Sequence, residues 1–186
     1  MTKQQKLQLL HIAINQCKDC PLYETAIHAV PGEGDVDARL MFIGEAPGRN
    51  EDESGRPFVG RAGKLLTALI ESIDLKREAV FITSVIKHQP PKNRPPKSDE
   101  LRSCKHWLDE QLAIIQPKII IPLGRFALEY FLPQMTITET HGRIFEQNKW
   151  FVFPVYHPAY GLRGTGALNA LYDDFVKLKR VILEKI

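Results

Sequence analysis

The sequence predicts an α/β fold: a three-layer α/β/α sandwich around a central, mostly parallel, four-stranded sheet. Four short apolar runs predict the strands, at Leu40 to Ile43, Val80 to Ile86, Ile119 to Leu123 and Trp150 to Val155. Helical periodicity separates the first three runs and returns after the third and at the C-terminal end. Strands that alternate with helices pair in parallel and are covered on both faces, because each crossover helix packs back onto the sheet.

Each element has its own warrant. Residues 5 to 15 read as a short helix with Leu7, Leu10 and Ile14 on one side. Cys17 and Cys20 follow, then a loop carrying Pro31, Gly32 and Gly34. The strand at 40–43 delivers a constrained loop and then a helix over 61–73, where Leu65, Leu66, Leu69, Ile70 and Ile73 recur at helical spacing. The strand at 80–86 leads to a helix over 98–115, with Ser98 as the expected cap and Leu101 and Leu108 turned inward. A helix near 125–132 follows the third strand, and a last one over 168–185 repeats Leu171, Phe175, Leu178 and Ile182. With no internal repeat and no flexible linker, residues 1–186 read as one domain.

The 186 residues are 44% hydrophobic and 25% charged, which suits a globular chain with a sizeable core. No apolar run approaches the roughly 18 residues of a membrane span. The start, Met1 to Lys6, leads into a helical pattern rather than a secretion signal, so the cytoplasm is the expected location. No spare apolar face marks an oligomer, and a monomer is expected. A net charge of +3 is too small to demand a nucleic-acid partner. Local crowding matters more: Lys87, His88, Lys92, Arg94 and Lys97 share one stretch, and Arg163 sits in another loop. Such patches hold phosphates, or they are simply solvated.

Ligands of parallel sheets bind beyond the carboxyl ends of the strands. Three unusual loops lie there, at 44–60, 87–97 and 156–166. The first holds Glu45, Glu51 and Asp52, and carboxylates placed together can position water or stabilise positive charge. It lacks the Gly-Lys-Ser/Thr ending of a nucleotide-hydrolase loop and the glycine spacing of a dinucleotide site. Phe58, between Pro57 and Val59, is either a stacking platform for a planar ring or a core aromatic. His157, before Pro158 at a strand end, is a well-fixed donor for an oxygen that gains charge. Leu162 suits an apolar wedge into a base stack and Arg163 suits a phosphate.

Cys17 and Cys20 are spaced as a redox pair, a zinc half-site or half of an iron–sulfur site. A metal site needs about four ligands. Cys104 is a third, and His88, just past a strand end, is the natural fourth; otherwise Cys104 is a packed thiol and His88 is structural or faces DNA.

Together these motifs resemble the uracil-DNA glycosylase superfamily, in particular its iron–sulfur branch, family 4. The similarity spans nearly the whole chain. It includes Cys17 and Cys20, Pro31-Gly32-Glu33-Gly34, the block from Gly44 to Gly63, Pro90-Pro91-Lys92-Asn93-Arg94 with Cys104, and His157-Pro158. The resemblance implies an enzyme of base excision repair that cuts uracil from deoxyribose in DNA, leaving an abasic site, with no metal in the chemistry. It implies Glu45 in the catalytic motif and Glu51 positioning the attacking water. The backbone of Glu45 and Ala46 would touch the base, Phe58 would stack on it and His157 would face its O2. The loop 158–164, with Leu162 and Arg163, would enter the duplex. A structural 4Fe-4S cluster is implied, held in the family by four cysteines.

Two positions depart from the family pattern. Ser84 stands where an asparagine reads uracil against cytosine, and a hydroxyl does not reproduce that two-point contact. His88 stands where the fourth cysteine is expected, which makes Cys17, Cys20, His88 and Cys104 the expected ligand set. The first departure leaves two alternatives: a glycosylase for another deaminated base such as hypoxanthine or xanthine, and a weakly active or inactive binder of damaged DNA.

Overall fold

The structure is a computed structural model describing residues 1–186. Its sheet has six strands: β1 (Glu33–Gly34), β2 (Leu40–Gly44), β3 (Phe81–Ser84), β4 (Ile119–Pro122), β5 (Phe145–Gln147) and β6 (Trp150–Val152). Their spatial order is β1-β3-β2-β4-β6-β5. The four expected strands form the parallel centre, and the sheet is two strands wider than the sequence predicts. The additions, β1 and β5, are antiparallel edges. At two and three residues they are too short to carry a period, and short edges also limit pairing with other chains.

The central strands are buried on both faces, which their uninterrupted apolar runs require. Side chains alternate between two cores. Met41, Ile43, Phe81 and Ile120 pack with Leu7, Leu108, Leu112 and Leu128, which come from α1 (Lys3–Asn15), α4 (Ser98–Ile115) and α5 (Arg125–Phe131). Leu40, Phe42, Ile82 and Ile121 pack with Leu66, Leu69, Leu171 and Phe175, from α3 (Arg61–Glu71) and α8 (Thr165–Lys185). Three short helices escape the sequence reading: α2 (Arg49–Ser54), α6 (Ile137–Thr140) and α7 (Pro158–Gly161). The cap of α4 also differs. Lys97, not Ser98, precedes the first turn, and the Glu100 carboxylate accepts the Lys97 N–H at 2.8 Å. No helix is long and apolar enough to cross a membrane.

The topology places the site. From β2 the chain moves to β3 on one side, then crosses to β4 on the other, so the strand order reverses at β2. The loops that leave the carboxyl ends of such strands diverge to opposite faces and open a crevice. Gly44 pairs with Ser84 and Ile43 with Pro122, so the three strand ends are level.

Candidate active site

A cavity of about 400 Å³ fills this crevice. Glu45, Ala46, Glu51, Phe58, Ser84 and His157 all line it. Six of the residues that the sequence singles out, from three separate stretches of chain, thus meet around one space. Val30, Pro90, Asn93 and Arg94 complete the wall. Pro90, Asn93 and Arg94 belong to the loop at 87–97 that the sequence places at the strand ends. Val30 was not legible, because nothing local marks a residue that only the fold brings to a rim.

Glu51 organises the loop after β2. Its Oε1 accepts the N–H groups of Val59 and Gly60 at 2.8 and 2.9 Å, and its Oε2 accepts that of Gly48 at 3.1 Å. A carboxylate offers about four lone-pair sites. Three are therefore spent on the loop, and one on Oε2 remains for a ligand. Asp52, the next residue, does not join the cavity. It is buried and accepts the Ile27 and His28 N–H groups at 2.9 and 3.3 Å, so it ties α2 to the segment before β1. Consecutive helix positions point about 100° apart, which separates the two carboxylates. Glu45 is half-buried, and burial raises its carboxyl above the usual range against the opposing pull of Arg125.

Phe58 is held in a conformation that few side chains adopt, with φ of 51°. Two glycines make room for it. A Cβ on Gly44 would stand 2.5 Å from the ring, and one on Gly63 would collide with the Phe58 backbone carbonyl. From behind, Arg77 donates to the Pro57 carbonyl at 2.5 Å and to Glu33 and Thr67. The ring lies 5.7 Å from the His157 imidazole, centroid to centroid. It is both buried and cavity-lining, so the two readings of its role coincide.

His157 precedes α7, and its Nδ1 accepts the Ala159 N–H at 3.1 Å. That bond fixes the tautomer: the neutral ring carries its proton on Nε2. Burial lowers its pKa from 6.5 to about 4, although the Glu51 charge pulls the other way. The ring is thus an uncharged N–H donor near neutrality. Leu162 and Arg163 do not line the cavity. Leu162 is 48% exposed on the same loop, and Arg163 lies over the Tyr160 ring at 5.7 Å.

Behind β3 lies a buried polar knot. Lys87 is fully enclosed, and its Nζ donates to Thr83 Oγ1, the Ser84 carbonyl and Gln111 Oε1 at 2.7 to 2.8 Å. Its backbone N–H points at Cys104 Sγ, 3.3 Å away, and its carbonyl accepts from Val30 at 2.7 Å. A buried lysine without a carboxylate needs three such acceptors, and it uses them to connect the cavity wall to the cysteines.

All three cysteines are free thiols. Packing of α1 on α4 brings Cys17 to Trp107, whose Nε1–H donates to its sulfur at 3.2 Å. Burial raises all three thiol pKa values, Cys104 to about 11. Nearby sulfurs add to the shift at Cys20 and Cys104, which places the thiols in one neighbourhood. No three His, Cys, Asp or Glu side chains are gathered closely enough to hold a single metal ion. Three soft donors, two of them already accepting N–H bonds, are nonetheless the chemistry that an iron–sulfur group uses. His88 follows Lys87 in the chain; it is buried, burial lowers its pKa, and the Asp52 charge pulls the other way.

Comparison with known proteins agrees with this arrangement. The family model described as the Uracil DNA glycosylase superfamily matches residues 31–179. The chain is 43% identical to a type-4 uracil-DNA glycosylase of Sulfurisphaera tokodaii, over 95% of this chain and 85% of that protein. It is 44% identical to the type-4 enzyme of Saccharolobus solfataricus, over 96% and 88%. With the type-4 enzyme of Thermotoga maritima the identity is 38%, over 100% and 93%. A match of this extent, on a fold whose crevice gathers the residues of the shared motifs, means that the chain belongs to the uracil DNA glycosylase superfamily, on its type-4 branch.

Proposed function

We propose that this chain, acting as a monomeric single-domain enzyme in the cytoplasm, hydrolyses the bond between uracil and deoxyribose in DNA. The observation that carries the reading is that Glu51, Phe58 and His157 line one cavity, with His157 held as a neutral Nε2–H donor. N-glycosidic cleavage builds positive charge on the sugar and negative charge on the base. A flipped base stacks on Phe58, while the N–H groups of Glu45 and Ala46 meet its edge. The His157 Nε2–H donates to the base oxygen that gains charge, with no acid required. The free lone pair of Glu51 holds the attacking water, and its charge, with that of Glu45, favours the cationic sugar. Leu162 fills the space the base vacates and Arg163 holds a phosphate.

Cys17, Cys20 and Cys104 would hold a 4Fe-4S cluster, with His88 as the fourth ligand. The cluster would supply a structural tie between the segment after α1 and the start of α4. Oligonucleotides carrying one uracil, treated with the protein and then alkali, should break at that position. Intact strands at excess enzyme would overturn the reading. Protein purified without air should be brown and contain iron; colourless, iron-free protein would remove the cluster alone.

A further inference from the structure

The floor of the cavity carries one group that this chemistry leaves idle. Ser84 ends β3, is only 5% exposed, and lines the cavity. Lys87 grips its carbonyl from behind at 2.7 Å, which fixes the backbone and leaves the hydroxyl unpartnered and free to turn. Glu45 and His157 are taken by the chemistry above, and three further polar side chains are committed to partners in the protein. Arg94 donates to both oxygens of Glu100, at 2.6 and 2.9 Å. Asn93 is exposed at the mouth and hydrogen-bonded to Gln89 at 2.6 Å. Glu51 is held by its loop. Besides Glu45 and His157, the polar side chain left to meet the edge of an enclosed base is a rotor.

A hydroxyl has one donor and two acceptor sites, and it turns to suit its partner. It can donate to a ring carbonyl or accept from the N–H beside it. It does not demand both at fixed points, as a carboxamide would. The adjacent N–H and C=O form the edge that deamination creates: on uracil from cytosine, on hypoxanthine from adenine, on xanthine from guanine. The cavity, at about 400 Å³, has room for two rings.

Leaving-group chemistry admits the same set and excludes cytosine and adenine. Water adds to the sugar carbon, and the bond's electron pair departs with the base. The base then takes a proton from solvent, and no other reactant is consumed. Because His157 donates without being an acid, the base must carry the charge itself. Bases with a lactam edge spread it onto oxygen; cytosine and adenine do not. Normal thymine and guanine carry the same edge and are spared in duplex DNA because they are paired, whereas a deaminated base faces a mismatched partner and flips at the least cost.

We infer that Ser84 makes the site a glycosylase for deaminated bases as a chemical class, taking hypoxanthine and xanthine as well as uracil. This rests on the glycosylase reading above. The test uses duplexes with one uracil opposite guanine, one hypoxanthine opposite thymine, or an ordinary thymine–adenine pair, in single-turnover reactions read by alkaline cleavage. Wild type should excise uracil and hypoxanthine at rates within about a hundredfold and leave thymine intact. Ser84→Asn should lower hypoxanthine excision at least roughly tenfold relative to uracil, the scale of one misplaced hydrogen bond. Ser84→Ala keeps the backbone and guards against misfolding; it should slow both reactions by about the same factor. Uracil excision alone by wild type, or an unchanged ratio in Ser84→Asn, overturns the inference and leaves the glycosylase reading standing. Unchanged rates in Ser84→Ala overturn it too. Excision of neither base overturns both.

Discussion

At the scale of single residues, His157 shows how a short bond determines chemistry. A histidine free in water shares its proton between two nitrogens and is partly charged near neutrality. Here one backbone N–H occupies Nδ1 and burial removes the charge, so a single Nε2–H faces the cavity. Such a preorganised donor is worth most when the partner gains charge. His157→Ala should therefore lower the single-turnover rate of uracil excision by about 10²–10³-fold, as loss of one oxyanion donor does. Binding of a stable abasic-site analogue should stay near wild type, because that ligand has no base for His157 to touch. Equal losses in rate and binding would instead mean that the histidine only shapes the loop. The histidine and its candidate role were legible in sequence. Its tautomer was not, since the Ala159 N–H that decides it comes from the turn of α7.

At the scale of elements, the loop after β2 is built around Phe58. Three features cooperate: the Glu51 clamp on Gly48, Val59 and Gly60, the Arg77 brace, and glycines at 44 and 63. Glycine at 63 sits inside α3, where it costs stability by intrinsic propensity. Packing reverses that preference, because any Cβ would meet the Phe58 carbonyl. Gly63→Ala should consequently destabilise the protein by on the order of 1–3 kcal/mol, the usual cost of overpacking. It should also slow excision by displacing Phe58. A thermal melt and a uracil assay on the same sample check this; a melt at or above wild type would mean that the loop yields freely. The sequence showed that this block is constrained, from its glycines and prolines. Local pattern did not separate Glu51 from Asp52, because α2 is only six residues long and carries no period to reveal its two faces; the family resemblance singled out Glu51.

At the scale of the whole molecule, the fold holds ionisable groups neutral at widely separated places. His11 on α1 and His157 before α7 both have pKa values lowered from 6.5 to about 4, first by burial. The unfolded chain takes up protons below about 6.5, whereas the folded chain refuses them until about 4. Between those values the unfolded state binds more protons, so stability falls as pH falls and levels off for these groups below about 4. Denaturant midpoints measured from pH 7 to pH 4 should decline steadily, and His157→Gln should flatten part of the slope. A midpoint that holds constant over this window would show that the two rings protonate without unfolding.

The sequence by itself determined the layers of this protein and the identity of its chemistry-bearing side chains. Apolar runs and helical spacing are local properties, and they mark β2, β3, β4, β6 and the five longer helices wherever the chain folds. The motifs named the carboxylates, the aromatic, the histidine and the cysteines for the same reason. Tertiary structure alone decided which of them face one another. The reversal of strand order at β2 opens the crevice, and separate loops then deliver Glu51, Phe58, Ser84 and His157 to it. It also decided that Asp52 turns away, that Lys87 bridges cavity and cysteines, and that Leu162 stands outside. Direction and distance between residues far apart in the chain depend on every intervening turn, so no local pattern encodes them.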